Sequence, residues 1–239
     1  MPADAGSASF RFEDGAYAAA ELNATDAESA GLGLFQKINL RNYIGSVPER
    51  SASFALRARA YAHWASISRF CSACGSPLSP AKGPEGEGGM ACLSCGRLFF
   101  PRISPAVIVL VSKGEKILLA HNAKFPAGRQ GLIAGFVELG ETLEETLRRE
   151  VMEEAGIEIG EPKYVRSQPW PFPDSLMLGF EAEHLSGEPR PDGVEIDHLG
   201  WFPIDDLPDI PPPGSVARHL IDRFVASRRD SLPPLAPLK

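Results

Sequence analysis

The chain has 239 residues, of which 44% are hydrophobic and 23% are charged, a composition typical of folded globular proteins. Its formal net charge of −7 argues against a general nucleic-acid coat protein, but leaves room for a local basic site. Residues 1–15 lack the basic and apolar stretches of a signal peptide, and no uninterrupted apolar run predicts a transmembrane helix. We therefore expect a cytoplasmic protein without a membrane partner, whose four cysteines are reduced.

Four parts follow one another along the chain. Residues 1–68 form an Ala-rich N-terminal region that ends in a predicted helix near 52–67, where apolar residues recur at helical spacing. Residues 69–101 are short, rich in Gly and Pro, and hold all four cysteines. Residues 102–230 carry the main domain, and 231–239 form a tail.

The main domain alternates predicted strands with two amphipathic helices. This mixture predicts an α+β or α/β sandwich. The predicted strands are 105–111, 116–120, 129–138, 164–168, 176–184 and 199–204, and the predicted helices are 142–155 and 215–229.

The cysteines form two pairs, Cys71-x2-Cys74 and Cys92-x2-Cys95. Two such pairs at this separation predict a tetrahedral zinc site with four thiolate ligands, and two disulfides are the alternative. Because four cysteines leave no open coordination position, we expect the zinc to be structural. It would stabilise a segment too small to bury a core of its own.

The helix at 142–155 has well-defined ends and an unusual distribution of charge. Thr142 and Glu145 predict a capping box, and Gly156 predicts the C-terminal stop. Three glutamates near the C-terminus of the helix share one face, where they repel each other and oppose the helix dipole. They are Glu150, Glu153 and Glu154. A solvated face would tolerate this repulsion, whereas Mg²⁺ or Mn²⁺ bound to the carboxylates would offset it.

The stretch GFVELGETLEETLRREVMEEAGI, residues 135–157, resembles the complete Nudix box. The resemblance implies an α/β/α sandwich with a mixed sheet, which hydrolyses nucleoside diphosphates linked to another moiety and uses divalent metals. It also implies that Glu150, Glu153, Glu154 and Arg149 are the catalytic residues, with Glu141 in support. The metal ligands would be Glu150, Glu154, Glu195 and the backbone of Ala134. Glu153 is the first candidate for the general base, and Glu195 is the second.

A second motif, SQPWPFPDS at residues 167–175, contains three prolines, which we expect to exclude it from the sheet and the helices. A rigid structural loop is one interpretation, and the wall of a binding site is the other. Following a Nudix box, it resembles the signature of NADH pyrophosphatases, as does the order of ribbon, box and signature. That subfamily cleaves NAD(H) to nicotinamide mononucleotide and AMP, removes NAD caps from RNA 5′ ends, and is typically homodimeric.

The resemblance implies a set of substrate-binding residues, several of them aromatic and able to stack on flat rings. The alternative is that one or two of the aromatic residues belong to the core. The implied residues are Gln168, Pro169, Trp170, Pro171, Phe172, Pro173, Asp174, Ser175, Phe136, Phe100, Ala217 and Glu87.

Two other functions remain open from the sequence. The first is a Nudix hydrolase of another substrate, such as ADP-ribose, a dinucleoside polyphosphate or CoA. The second is a zinc-ribbon regulator that senses a nucleotide without cleaving it. The intact set of glutamates argues against the second, because a sensor does not need the full set of metal ligands.

Overall fold

The structure is a computed structural model that describes residues 11–14, 17–20, 38–82 and 88–230. The chain divides into two compact units. One comprises residues 1–103 and 169–174, and the other comprises residues 104–168 and 175–239. The division into four parts stays a prediction.

The first unit contains small elements. Strands β1 (Arg11–Asp14) and β2 (Tyr17–Ala20) pair antiparallel, and helix α1 (Leu40–Tyr43) precedes the longer helix α2 (Glu49–Ile67). The helix predicted near 52–67 is confirmed and begins three residues earlier, after Pro48. Three short antiparallel strands then carry the cysteine segment. They are β3 (Leu78–Pro80), β4 (Met90–Cys92) and β5 (Leu98–Phe99).

The second unit is built on a seven-stranded mixed sheet with two helices. Each predicted strand and helix of this region has a counterpart. The elements are β6 (Ser104–Lys113), β7 (Lys116–Asn122), β8 (Ile133–Phe136), α3 (Leu143–Ala155), β9 (Glu158–Ile159), β10 (Lys163–Trp170), β11 (Ser175–Ser186), β12 (Ile196–Pro203) and α4 (Val216–Asp230).

The main path of the sheet runs β10-β11-β6-β7-β12, while β8 pairs with β6 and β9 with β11. Strands β11 and β6 are parallel, whereas β6 pairs antiparallel with β7 and with β8. Strand β6 therefore holds the centre of the sheet, and β8 brings the start of the Nudix box next to it.

Strand β6 is apolar on both faces because the sheet is covered on both sides. Its Val107, Val109 and Val111 pack in one core cluster with α3, and its Ile108 and Leu110 pack in another with α4. The two helices contribute Leu147, Val151 and Ala155 from α3, and Leu220, Ile221 and Phe224 from α4. This arrangement confirms the predicted α/β/α sandwich.

Two expectations about strands were wrong in part. The proline-rich motif was expected to stay outside the sheet, but β10 extends through Trp170. Because β10 is the edge strand, the missing backbone donor of Pro169 leaves no neighbouring strand unpaired. The strand predicted at 129–138 is shorter, since Gln130 donates its backbone N–H to Asp209 instead. Within the described residues, no helix is long and apolar enough to cross a membrane.

Candidate active site

Helix α3 is fixed at both ends by the interactions that the sequence predicts. The Glu145 backbone N–H donates to Thr142 Oγ1 at 3.2 Å, and the Thr142 N–H donates to Glu145 Oε2 at 2.8 Å. Gly156 ends the helix in the left-handed region, with φ of +67°. The capping box and the glycine stop are therefore confirmed, and they fix the register of the glutamates.

Arg149 is the centre of the polar network on this helix. Its guanidinium donates five hydrogen bonds, two to Glu141, one each to Glu150 and Glu153, and one to the Phe136 carbonyl oxygen. The distances range from 2.6 Å to Glu141 Oε1 to 3.1 Å to Glu153 Oε2. Arg149 thus connects the helix, the preceding loop and the end of β8.

Glu141 is held as an anion in this network. The hydrogen bonds from Arg149 are the main cause that lowers its pKa to about 2, and the Glu138 N–H also donates to it. Thr146 donates its hydroxyl to Glu141 at 2.8 Å. Glu141 therefore stabilises the loop and the orientation of Arg149.

Gly135 allows Glu150 to approach β8. A Cβ atom at Gly135 would lie 1.9 Å from both Cδ and Oε1 of Glu150. A side chain at this position is therefore incompatible with the observed carboxylate position. The first glycine of the box provides the space in which the Glu150 carboxylate lies.

The glutamates line a cavity of about 490 Å³. Its wall carries six carboxylate side chains and a single basic one. The lining residues are Ala106, Lys124, Ala134, Gly135, Phe136, Glu138, Glu150, Glu153, Glu154, Ser175, Met177, Asp192 and Glu195. The cavity thus brings together all the carboxylates predicted as metal ligands or general base, with the backbone of Ala134.

Glu154 is the most perturbed carboxyl group in the cavity. It is 7% exposed and forms no hydrogen bond or ion pair with a described residue. Burial, followed by repulsion from Glu150 and Glu195, raises its pKa to about 8. Burial likewise raises the pKa of Glu150, while Arg149 opposes that rise.

A buried carboxylate without a cation fits a site for a divalent metal ion, because a hard cation would supply the missing charge. Across the described residues, however, only the four cysteines form a set of three or more candidate ligands whose donor atoms all lie within 4.8 Å of one another. The cavity carboxylates are more widely spaced, so binding one cation by three of them requires side-chain rotation.

Asp192 is a cavity residue that the sequence analysis missed. Its Oδ1 accepts backbone N–H groups from Val194, Glu195 and Ile196 at 2.8 to 3.1 Å. These bonds shape the turn that presents Glu195 and lower the pKa of Asp192. The Asp-Gly pair before a strand is a signal for such a turn, but it does not indicate proximity to α3.

Lys124 was also missed. It follows β7 and is the only basic side chain among the residues that line the cavity. Its backbone N–H donates to Asn122 Oδ1 at 3.0 Å, and the neighbouring Ala123 N–H donates to the Glu195 carbonyl oxygen at 3.1 Å. Lys124 forms no ion pair with a described carboxylate, so its ammonium group is available to an anionic ligand.

The predicted substrate residues of the second unit have different surroundings. Phe136 is 54% exposed, and both it and the buried Ser175 line the cavity. Gln168 instead donates to the Gly214 carbonyl oxygen and accepts the Val216 N–H, both at 2.7 Å, which anchors the start of α4. Ala217 is buried in the core cluster beside α4. Their contacts with substrate stay predictions.

The rest of the motif belongs to the first unit and is well anchored there. The rings of Trp170 and Phe172 meet edge to face at 5.0 Å, and the Arg41 guanidinium lies 4.6 Å from the centre of the Phe172 ring. Asp174 accepts a hydrogen bond from Arg102 at 3.0 Å. Pro169 and Pro173 are exposed, Pro171 is buried, Phe100 is 51% exposed, and Glu87 lies outside the described residues.

The four cysteine sulfur atoms converge as predicted. Cys71 and Cys95 are 3.6 Å apart, and Cys74 and Cys92 are 3.5 Å apart. A Zn–S bond of about 2.3 Å corresponds to sulfur separations of about 3.8 Å in a tetrahedron, so the cluster fits zinc. The two knuckles match, because Gly75 donates to the Cys71 carbonyl oxygen and Gly96 to that of Cys92.

Comparison with known proteins gives the family. The NUDIX domain model matches residues 101–224. A crystal structure of a NUDIX hydrolase from Nitrosomonas europaea is similar with a TM-score of 0.58 and 27% identity, and the match covers 69% of this chain and 94% of that one.

Curated relatives named NAD-capped RNA hydrolase NudC are also similar. The protein from Stutzerimonas stutzeri is 46% identical over 73% of this chain, and that from Citrobacter koseri is 48% identical over 67% of this chain. The matches span 62% of the length of each relative. The domain match and the α/β/α sandwich together show that the chain belongs to the Nudix family, whose hydrolases use divalent metals.

Proposed function

We propose that this protein hydrolyses the diphosphate bond of NAD(H) to nicotinamide mononucleotide and AMP, and that it removes NAD caps from RNA 5′ ends. The observation that carries the proposal is the acidic cavity, in which buried Glu154 has no cation while Arg149 holds Glu150 in place. The names of the similar NudC proteins support NAD as the substrate. An exposed nicotinamide or adenine ring would find Phe136 at the cavity wall.

The carboxylates would hold Mg²⁺ or Mn²⁺ through Glu150, Glu154, Glu195 and the carbonyl oxygen of Ala134. Such ions neutralise charge on the phosphates and lower the pKa of the attacking water. Arg149 keeps Glu150 and Glu153 in position, and Asp192 does the same for Glu195.

The reaction needs a base within reach of the water. The side chain of Glu153 is 60% exposed and is bound only by Arg149, so it can accept a proton as water attacks one phosphorus atom. The bond from that phosphorus to the bridging oxygen breaks, and the other phosphate leaves with the bridging oxygen. Glu195 is the second candidate for this base.

Substrate recognition is the less direct part of the proposal. We assign ring stacking to Trp170, Phe172, Phe136 and Phe100, and a polar contact to Ser175. Stacking on a base is worth about 1–3 kcal/mol, which is enough to discriminate between substrates. A homodimer and a cytoplasmic location, where zinc-binding thiols stay reduced, complete the proposal.

The test is a comparison of NADH with ADP-ribose, each incubated with the protein and either Mg²⁺ or Mn²⁺. We expect AMP and nicotinamide mononucleotide from NADH, at a higher kcat/KM than for ADP-ribose. Turnover of ADP-ribose without turnover of NADH would instead favour a Nudix hydrolase of another substrate. Nucleotide binding without hydrolysis of either compound would favour a sensor.

A further inference from the structure

Charge is distributed unevenly along the chain. Residues 38–103 contain eight Lys or Arg and three Asp or Glu, whereas residues 104–239 contain 14 and 22. A basic segment is therefore part of an otherwise acidic protein. Clustered Lys and Arg are what a nucleic-acid strand requires, and the overall charge of −7 conceals this cluster.

Several of these cations are available for binding. Arg59, Arg69, Lys82 and Arg97 are exposed, and none forms an ion pair with a residue in the described ranges. By contrast, Arg129, Arg148 and Arg223 in the second unit each pair with a carboxylate.

The small sheet brings Arg69 and Arg97 into one row. The Leu78 N–H donates to the Arg69 carbonyl oxygen at 2.9 Å, Leu78 pairs with Cys92, and the Cys92 N–H donates to the Arg97 carbonyl oxygen at 2.9 Å. With strands about 4.8 Å apart, this row places the two arginine backbones within about 15 Å of each other. A few nucleotides of a single strand can span that distance.

Exposed aromatic rings accompany the cations. Phe70 follows Arg69 directly and is 62% exposed, and Phe100, three residues after Arg97, is 51% exposed. Proteins that bind single-stranded nucleic acid combine a basic surface with aromatic side chains on which bases stack. An exposed ring beside an exposed arginine is the arrangement that such binding uses.

We propose that the ribbon surface, formed by Arg69, Phe70, Lys82, Arg97 and Phe100, binds the single-stranded RNA that follows an NAD cap. This inference rests on the proposed function, because the cap is the part that the Nudix site cleaves. The ribbon surface therefore selects capped RNA over free NAD(H). Arg69 and Arg97 contact phosphates, while Phe70 and Phe100 stack on bases.

The experiment compares the double variant Arg69→Glu/Arg97→Glu with the control Lys116→Glu/Lys163→Glu. The control changes the charge equally at exposed lysines of the second unit that form no ion pair with a described residue. We expect the first variant to lower kcat/KM for NAD-capped RNA by about tenfold or more, and to leave kcat/KM for NADH unchanged. Two lost phosphate contacts should also reduce the slope of log affinity against log salt by about 1.4.

Three results would overturn the proposal. The control may reduce turnover of capped RNA as strongly, which would mean that only net charge matters. The first variant may lose zinc and both activities together, which would mean that the arginines offset the charge of the thiolates. It may change the oligomeric state and leave capped-RNA turnover intact, which would mean that the surface joins two copies of the chain.

A binding measurement separates this proposal from the proposed function. Fluorescence anisotropy with an uncapped single-stranded RNA tests the ribbon surface even if the protein does not hydrolyse NADH. We expect Phe70→Ala and the arginine double variant each to weaken this binding by about tenfold, and the lysine control to leave it unchanged. Equal affinity in all variants would refute the assignment.

Discussion

The contact between Gly135 and Glu150 makes the substitution Gly135→Ala a sharp test of the site. The added Cβ would lie 1.9 Å from Cδ and Oε1 of Glu150, and 2.3 Å from Oε2. Because Cβ atoms essentially never approach other heavy atoms closer than 3.0 Å, the carboxylate must move by about 1 Å or more. The movement also disturbs the 2.8 Å hydrogen bond from Arg149.

The expected effect falls on catalysis rather than on folding. The end of a Glu side chain moves at little cost, so the melting temperature should change by only a few degrees. A displacement of about 1 Å in a catalytic group costs about 10²-fold, which corresponds to about 2.7 kcal/mol in transition-state stabilisation. We therefore expect kcat/KM for NADH to fall about 100-fold.

The matched control is Gly200→Ala in β12. A Cβ at Gly200 meets only Phe202 at 3.8 Å, an ordinary van der Waals contact. Steady-state kinetics with NADH and thermal unfolding of both variants are the measurements. Full activity in Gly135→Ala would refute the role of this glycine in placing Glu150, and an equal loss in Gly200→Ala would mean that the effect is not specific.

Three further predictions concern the cavity. Asp192→Ala removes the acceptor that shapes the Glu195 turn, so the apparent affinity for Mg²⁺ should weaken about tenfold, whereas Asp192→Asn should retain most of it; metal titrations of activity check this. Lys124→Gln should raise KM for NADH about tenfold because the cavity loses its cation, and Lys124→Arg should restore binding; unchanged KM in Lys124→Gln would contradict this. Burial raises the pKa of Glu154 to about 8 from an ordinary value of 4.5, so the unfolded chain loses this proton first. The metal-free protein should therefore lose stability as pH rises from about 5 to 8, and this slope should be smaller in Glu154→Gln; equal slopes in denaturant unfolding would contradict the assignment.

Local sequence signals predicted much of the fold. Thr142, Glu145 and Gly156 interact with near neighbours in the chain, so the ends of α3 could be predicted closely. The apolar run of β6 reflects burial on both faces, which its residues express directly. The cysteine spacing likewise predicted a cluster, because each pair forms its own knuckle.

The features that were missed depend on contacts between distant residues. The position of Asp192 near α3 follows from the sheet, not from the turn that the residue forms. Lys124 reaches the cavity because β7 ends beside the turn that carries Glu195. The strand character of Ser167 to Trp170 depends on an edge position that proline content alone does not reveal.

The most direct test of the central claim is hydrolysis of NADH by Glu154→Gln and by the wild-type protein, followed as AMP release with Mg²⁺ or Mn²⁺. The substitution keeps the shape of the side chain and removes its charge, so the metal-free variant should fold at least as stably as the wild type at pH 8. We expect wild-type turnover of NADH and a loss of at least 100-fold in the variant. Wild-type activity in Glu154→Gln would contradict the assignment of this cavity as the catalytic site.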